Sequence, residues 1–420
     1  MRACGAYPSP VDDQAGSRPR WLTPSVAGIG GASLLSDLGH EIPTSRLQSF
    51  LTSTLGAPAA ALGLIEGIAD GVAGAAKLVG GGLADDPHRR RTVAVGGYLT
   101  TAVLSSLIGV AQTAWQVAVL RTGAWAARGL RNPARNALLA DAVTPHVYGR
   151  AYGFERAMDN LGAIGGPLLA LLFVSLTSVR TAIFISIVPG LLAAVAMAYA
   201  VRRIRERPHE HVAFRILIRP VFRGELGRVL IGAGAFEFGN VAATLLILRA
   251  TELLEAERGL DAATRVALLL YVAYNVAATL ASVPAGRIAD RLGAVRALAL
   301  GVVLFLGAYA AFAATGPSVP LLGVGFILAG LGIGFAETTE HAAVAHRAPE
   351  ELRGSAFGAL AALQSTGNLA ASAGAGILWS LVGPDAAFAT AAAWMGVSLV
   401  ALAGPARGDR ASYALVTRDT

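Results

Sequence analysis

The stretch GRIADRLGAVR, residues 286–296, separates two apolar runs at 266–288 and 295–314. Each run is long enough to cross a bilayer, because about twenty apolar residues in a helix span the hydrocarbon core. An earlier stretch, GGLADDPHRRR at 81–91, sits in the same way between runs at 57–84 and 92–112. Gly81 and Asp85 match Gly286 and Asp290 at an offset of 205 residues. The same offset relates Arg150-Ala-Tyr-Gly153 to Ser355-Ala-Phe-Gly358. Near the start of each half, Asp37-Leu-Gly-His40 resembles Glu237-Phe-Gly-Asn240 at an offset of 200. The chain therefore reads as two related halves, and parallel halves related by an axis along the membrane normal are a transporter architecture.

Working outward, further apolar runs occupy 24–54, 114–140, 152–178, 180–201, 229–250, 319–346, 355–382 and 384–404. Together with the four above they predict twelve transmembrane helices in an all-α polytopic membrane protein. The loops at His88–Arg91, Arg287–Arg296 and Arg347–Arg353 carry clustered arginines, as does the long segment with Arg202, Arg203, Arg205, Arg207, Arg215, Arg219, Arg223 and Arg228. The alternate connections at 56–59, 112–113 and 316–319 are uncharged, and only 251–265 reads as a longer loop of mixed sign. Arginine asymmetry of this kind puts the rich loops and both termini in the cytoplasm. The expected organisation is a cytoplasmic tail at 1–23, a six-helix bundle at 24–201, a cytoplasmic linker at 202–228, a second bundle at 229–404 and a cytoplasmic tail at 405–420.

Composition agrees with a lipid-embedded chain. The 420 residues are 54% hydrophobic and 15% charged, with 50 glycines, and glycine lets helices approach closely in lipid. The net charge of +7 is spread over short loop clusters and not over one basic surface, which argues against nucleic acid as a partner. A single cysteine, Cys4, excludes disulfides and paired-thiolate metal sites within the chain. The polar leader lacks the apolar core of a cleaved signal peptide. Nucleotide-binding, Gly-x-Ser-x-Gly and His-Glu-x-x-His patterns are lacking, so neither an enzyme nor a cofactor is expected.

The repeated loop resembles the signature of the major facilitator superfamily, Gly-x-x-x-Asp-Arg-x-Gly-x-x-Arg. Gly286, Asp290, Arg291, Gly293 and Arg296 match it; the first copy keeps Gly81, Asp85, Arg89 and Arg90, with Asp86 and His88 in place of the usual Arg and Gly. The resemblance implies two six-helix bundles, gating roles for the loop residues, and a central pathway lined by spans 1, 4, 7 and 10. Gly162-x-x-x-Gly166-Pro167 in span 5 is similar to a motif that exporters of the family use at the contact between halves. A helix 4 arginine of the family serves proton coupling, and Arg121 is the candidate by position, although Trp125 stands where the family has glycine.

Ionisable residues within spans are costly unless they face water or a partner, so they mark candidate sites. Asp37, His40 and Glu41 share one face of span 1 at spacing i, i+3, i+4. With Glu66, Arg121, Glu237 and Asn240 they form the expected proton-coupling or substrate-binding set. Gating is expected from the loop residues, from Glu155, Arg156, Asp159, Gly162, Gly166 and Pro167, and from Glu340, which the 205 offset pairs with Arg135 across the halves. Arg128 and Arg135 are expected to snorkel toward the headgroups. The resulting expectation is a monomeric, proton-coupled exporter of a small organic solute in the cell membrane. The alternative is a transition-metal carrier using Asp37, His40 and Glu41.

Overall fold

Backbone amides in hydrocarbon have no water to bond, so an apolar run of this length satisfies them within itself as a helix. The computed structural model describes residues 21–204, 214–314 and 316–416, and among these it contains helices and no strand. The first half comprises α1 (Pro24–Ser49), extended by a π turn at Phe50–Thr54, then α2 (Ala59–Ala84), α3 (Pro87–Leu107), α4 (Ala114–Asp141) and α5 (Tyr148–Leu176). Its sixth span is divided at Ser186 into α6 (Val179–Ile185) and α7 (Ile187–Arg203). After the short α8 (Ile218–Val221), the second half opens with a seventh span made of α9 (Gly224–Gly239) and α10 (Ala243–Arg258). It continues with α11 (Leu260–Leu292), α12 (Ala294–Ala314), α13 (Val319–Arg347), α14 (Arg353–Leu381) and α15 (Pro384–Val416).

Twelve spans result, as the sequence predicts. By length and hydropathy alone, eight segments of the described residues qualify as membrane crossings. The other four spans are α1, α2, α4 and α14, and polar side chains run through the middle of each. The mixed-sign loop expected at 251–265 is instead helical, with only Gly259 between α10 and α11. Its positive φ of 76° is a conformation glycine adopts without a Cβ penalty. The seventh span starts within the expected linker, at Gly224, and α15 continues through most of the expected C-terminal tail. Residues 1–20, with Cys4, the linker stretch 205–213, with Arg205 and Arg207, and residues 417–420 lie outside the described residues.

The two halves meet along α2 with α14 and α5 with α11, and the repeat found in the sequence is the repeat of this seam. An added Cβ at Gly81 would lie 2.8 Å from the Gly354 carbonyl oxygen, and one at Gly286 would lie 2.1 Å from that of Gly149. One turn deeper, a Cβ at Gly358 would meet the Lys77 carbonyl at 2.8 Å and one at Gly153 the Ser282 carbonyl at 2.4 Å. Asp85 accepts bonds from the Ser355 amide (2.8 Å) and hydroxyl, while Asp290 accepts from the Gly149 amide (2.7 Å) and from Arg150 Nε (2.7 Å). Each contact thus has its partner 205 residues away. Asp141, at the end of α4, adds a bridge between Arg90 of its own half and Arg353 of the other at 2.9 Å. Tyr152 stacks between these elements, 5.7 Å from His341 and 5.9 Å from Phe357. All of this lies at the arginine-rich end of the bundle. Farther along α2, an added Cβ at Gly63, Gly67 or Gly71 would meet nothing within 4 Å.

The two copies of the loop start their next helices by different chemistry. Asp86 is the N-cap of α3, accepting from the His88 amide at 2.9 Å, with Pro87 at the first helical position. The second copy uses Gly293, whose φ of 98° turns the chain from α11 into α12. The first-half departures from the family pattern at 86–88 are therefore a capping device.

Candidate functional site

Alpha1 approaches α5 closely because α5 offers it glycines. A Cβ at Gly162 would lie 2.7 Å from Asp37 Cβ, and one at Gly166 would lie 2.4 Å from Glu41 Cβ. The Gly162-x-x-x-Gly166-Pro167 segment therefore packs within the first half, directly behind the two acids. This corrects its expected place at the contact between halves, which α5 makes earlier, through Gly149 and Gly153.

The acids and His40 form a connected polar face. His40 Nδ1 donates to the Ser36 carbonyl at 2.9 Å and lies 3.4 Å from Asp37 Oδ1, while its Nε2 lies 3.3 Å from Glu41 Oε1. Arg128 Nη2 reaches Asp37 at 3.5 Å. Arg121 is held by Glu66 (3.0 Å), by the Thr44 hydroxyl (2.9 Å) and by the face of Trp125, 3.3 Å from the ring centroid. The Trp125 indole N–H in turn donates to Asp70 at 3.0 Å, and its ring meets His40 edge-on at 5.6 Å. The tryptophan at the family's glycine position is thus the platform that seats the arginine. Asp37 and His40 are buried, whereas the Glu41 and Glu66 side chains keep 26% and 32% of their exposure.

A second group lies deeper toward the seam. Arg135 pairs with Glu155 (2.8 Å) and Asp159 (3.4 Å), and Arg156 pairs with the same two acids at 2.8 and 3.1 Å. Ser33 donates to Glu155 at 2.6 Å. These bonds join α1, α4 and α5 inside the first half. Arg135 neither snorkels nor pairs with Glu340, because Glu155 meets it within its own bundle, and Glu340 accepts instead from Gln364 Nε2 at 3.0 Å. Arg128, too, turns inward to Asp37. At the surface, Arg89 pairs with Asp86 one turn back at 3.5 Å, and Arg291 is exposed.

The second half presents its acids with amides in place of ion-paired cations. Glu237 Oε2 accepts from Asn240 Nδ2 at 3.1 Å; it and Glu340 are buried, and among the described residues neither forms an ion pair. Immediately beyond Glu237 the seventh span unwinds over 240–242. The freed backbone groups find side chains: Tyr309 OH donates to the Gly239 carbonyl at 2.6 Å, Ser372 accepts from the Ala242 amide at 3.1 Å, and Asn368 donates to the Asn240 carbonyl at 3.3 Å. A broken span near mid-membrane is tolerated where it lines a cavity or is buried in protein.

Sequence reading missed this break, the roles of Asp141, Arg150, Ser355 and Trp125, and Arg131. Arg131 is buried, donates to Ser36 at 2.7 Å and stacks on Tyr98 at 3.7 Å. It falls off the 121/128/135 stripe, so the step of seven passed over it. Signals for two of these existed: Arg150 and Ser355 are corresponding residues of the matched repeat.

The Major Facilitator Superfamily profile matches residues 29–267 and 233–414. An uncharacterized MFS-type transporter of Methanocaldococcus jannaschii is 27% identical over 381 residues, covering 88% of this chain and 92% of that protein. An uncharacterized protein of Mycobacterium tuberculosis is 29% identical over 367 residues, covering 85% and 86%. Among solved structures, a bacterial homologue of the iron transporter ferroportin in an outward-facing state aligns with a TM-score of 0.74 at 16% identity, over 91% of this chain and 99% of that one. The human organic anion transporter MFSD10 aligns with a TM-score of 0.68 at 17% identity, over 92% and 100%.

Proposed function

Since the chain belongs to the major facilitator superfamily and so is a secondary transporter working by alternating access, we propose that it exchanges protons for a small organic solute and exports it. One observation carries the reading: the two halves hold carboxyls at matching depth along their first spans. Asp37 lies thirteen residues into α1 and Glu237 thirteen residues into α9, each about 20 Å from the arginine-rich end at 1.5 Å per residue. Asp37 has Arg128 and His40 beside it, whereas a buried carboxylate without an ion-pair partner, as at Glu237, is costly, and either a proton or a cationic solute removes that cost. Exchange between the two at shared carboxyls couples one flux to the other.

In this reading Asp37, His40, Glu41, Glu66, Arg121, Glu237 and Asn240 handle proton and solute. Gly81, Asp85, Gly286, Asp290 and Glu340 serve the closure of the pathway. The Glu155, Arg156 and Asp159 network stiffens the first half beside that gate, and Gly162, Gly166 and Pro167 seat α1. Arg89 and Arg291 face the headgroups of the cytoplasmic leaflet. Export is supported by the span 5 Gly-x-x-x-Gly-Pro resemblance. The arginine-rich end and both termini face the cytoplasm of the cell, and the protein acts as a monomer.

A transition-metal cargo is the second reading, favoured by the nearness of both carboxylates to the His40 ring. They flank it on opposite nitrogens, however, and Nδ1 already serves Ser36. An ion about 2 Å from all three groups requires the imidazole to turn. The ferroportin likeness extends to fold alone.

The test is transport in proteoliposomes with an imposed pH gradient, comparing organic cations with divalent metals. A gradient-dependent flux of an organic cation, reduced at least tenfold in Asp37→Asn and Glu41→Gln, is expected. Normal coupling in both variants would sink the proposed site, and metal flux in place of cation flux would transfer it to the second reading.

A further inference from the structure

Lys77 is the only lysine in the chain, and it stands at the seam. Its backbone carbonyl lies 2.8 Å from where a Cβ on Gly358 of α14 would stand, while its side chain runs toward the N-terminus of α2, as helical side chains do. There Nζ donates across the halves to the Ser365 hydroxyl. Ser365 belongs to a short segment of α14, 364–368, in which Gln364, Gly367 and Asn368 reach the acid group of the second half, while Thr366 bonds back to its own helix. Gln364 donates to Glu340 at 3.0 Å. A Cβ at Gly367 would lie 2.7 Å from Glu237 Cβ, so α14 rests directly on that residue. Asn368 holds the carbonyl of Asn240 at 3.3 Å, at the break beside Glu237. Lys77 is also within electrostatic reach of Arg128 on α4, of Asp70 on its own helix and of Glu237, and Glu337 of α13 stands within reach of both Glu237 and Glu340.

We propose that Lys77 is the positioning residue that couples the charge state of the Glu237 and Glu340 carboxyls to closure of the seam, with α14 364–368 as the connecting segment. While the carboxyls are charged, the ammonium is drawn across to α14 and the seam stays shut. Protonation of the pair, or its capture of a cationic solute, removes that attraction. Lys77 then withdraws toward Asp70, two turns back along α2, and α14 is released. Loss of one hydrogen bond from a charged group is enough to change the open-to-closed ratio roughly tenfold or more. The inference rests on the proposed role of those carboxyls.

The only lysine is also its own reporter. Amine-selective acylation of the full-length protein in nanodiscs, read by mass spectrometry on the peptide containing residue 77, measures its release. Glu340→Gln, which mimics the protonated acid, is expected to raise the acylation rate of Lys77 about tenfold, and Glu237→Gln likewise. In proteoliposomes, Lys77→Arg is expected to keep gradient-driven flux, whereas Lys77→Gln loses it at least tenfold while solute counterflow persists. Unchanged acylation in both Gln variants, together with loss of gradient-driven flux, overturns the coupling role and leaves the carboxyl reading standing. Unchanged acylation with unchanged flux overturns both. Equal flux in Lys77→Arg and Lys77→Gln also overturns the role, and it does so without depending on the acid variants.

Discussion

Tyr98 shows how differently one side chain's parts contribute. Its ring is the platform under the Arg131 guanidinium, but its hydroxyl is buried with no hydrogen-bond partner among the described residues. An unmet buried hydroxyl costs free energy. Tyr98→Phe is therefore expected to keep or slightly raise thermal stability in detergent, within about 1 kcal/mol. Tyr98→Ala removes platform and volume together and is expected to lower stability by on the order of 3 kcal/mol; equal melting of the two variants would refute the platform role. At the same scale, the acids Asp37, Glu41, Glu66 and Glu237 were legible from sequence, since a charge in an apolar run announces itself. Their partners were not. Which of Arg121, Arg128, Arg131 and Arg135 meets which acid depends on how α4 is rotated against α1 and α5, and helical spacing alone does not give that rotation.

Among elements, the seam is where repeat and structure coincide. Gly153 and Gly358 are equivalent positions at which a backbone carbonyl of the other half arrives within the space of a methyl group. Valine at either one is expected to wedge the seam open and to reduce transport at least tenfold. The two variants should match in an accessibility assay at the arginine-rich end; a normal rate in one alone would break the equivalence. The sequence displayed this equivalence as Arg150-Ala-Tyr-Gly153 against Ser355-Ala-Phe-Gly358, while leaving open what the matched residues touch. The twelve spans were legible for the same reason that hydropathy works in lipid: the solvent imposes helix on any long apolar run. The break at 240–242 was not, because Gly239 and Asn240 are tolerated inside membrane helices, and only the arrival of Tyr309, Ser372 and Asn368 makes the unwound form satisfied.

For the whole molecule, closure is expected to carry a pH dependence through Asp85, which lies in the loop beyond α2. Burial pushes its carboxyl above the ordinary value of 3.8, although the Ser355 hydroxyl and amide and nearby Arg90 oppose the shift. Opening of the seam exposes the group and returns it to that ordinary value. The state with the higher pKa binds the proton more tightly, so this contribution to closure is present at low pH and is lost as pH rises through the raised value. Accessibility of the arginine-rich end is thus expected to fall on acidification over the range just above 3.8. Asp85→Asn should flatten that portion of the profile; an unaltered profile would remove Asp85 as its source. Asp37 and Glu237 stand at one depth in the two halves, yet α1 continues past Asp37 and Glu41 to Ser49, whereas the equivalent helix stops two residues after Glu237. The molecule consequently has one continuous arm and one jointed arm. In the proposed cycle a cargo bound between them is expected to bend the jointed arm at its elbow, so that the second wall grips by reshaping itself and the first acts as the lever.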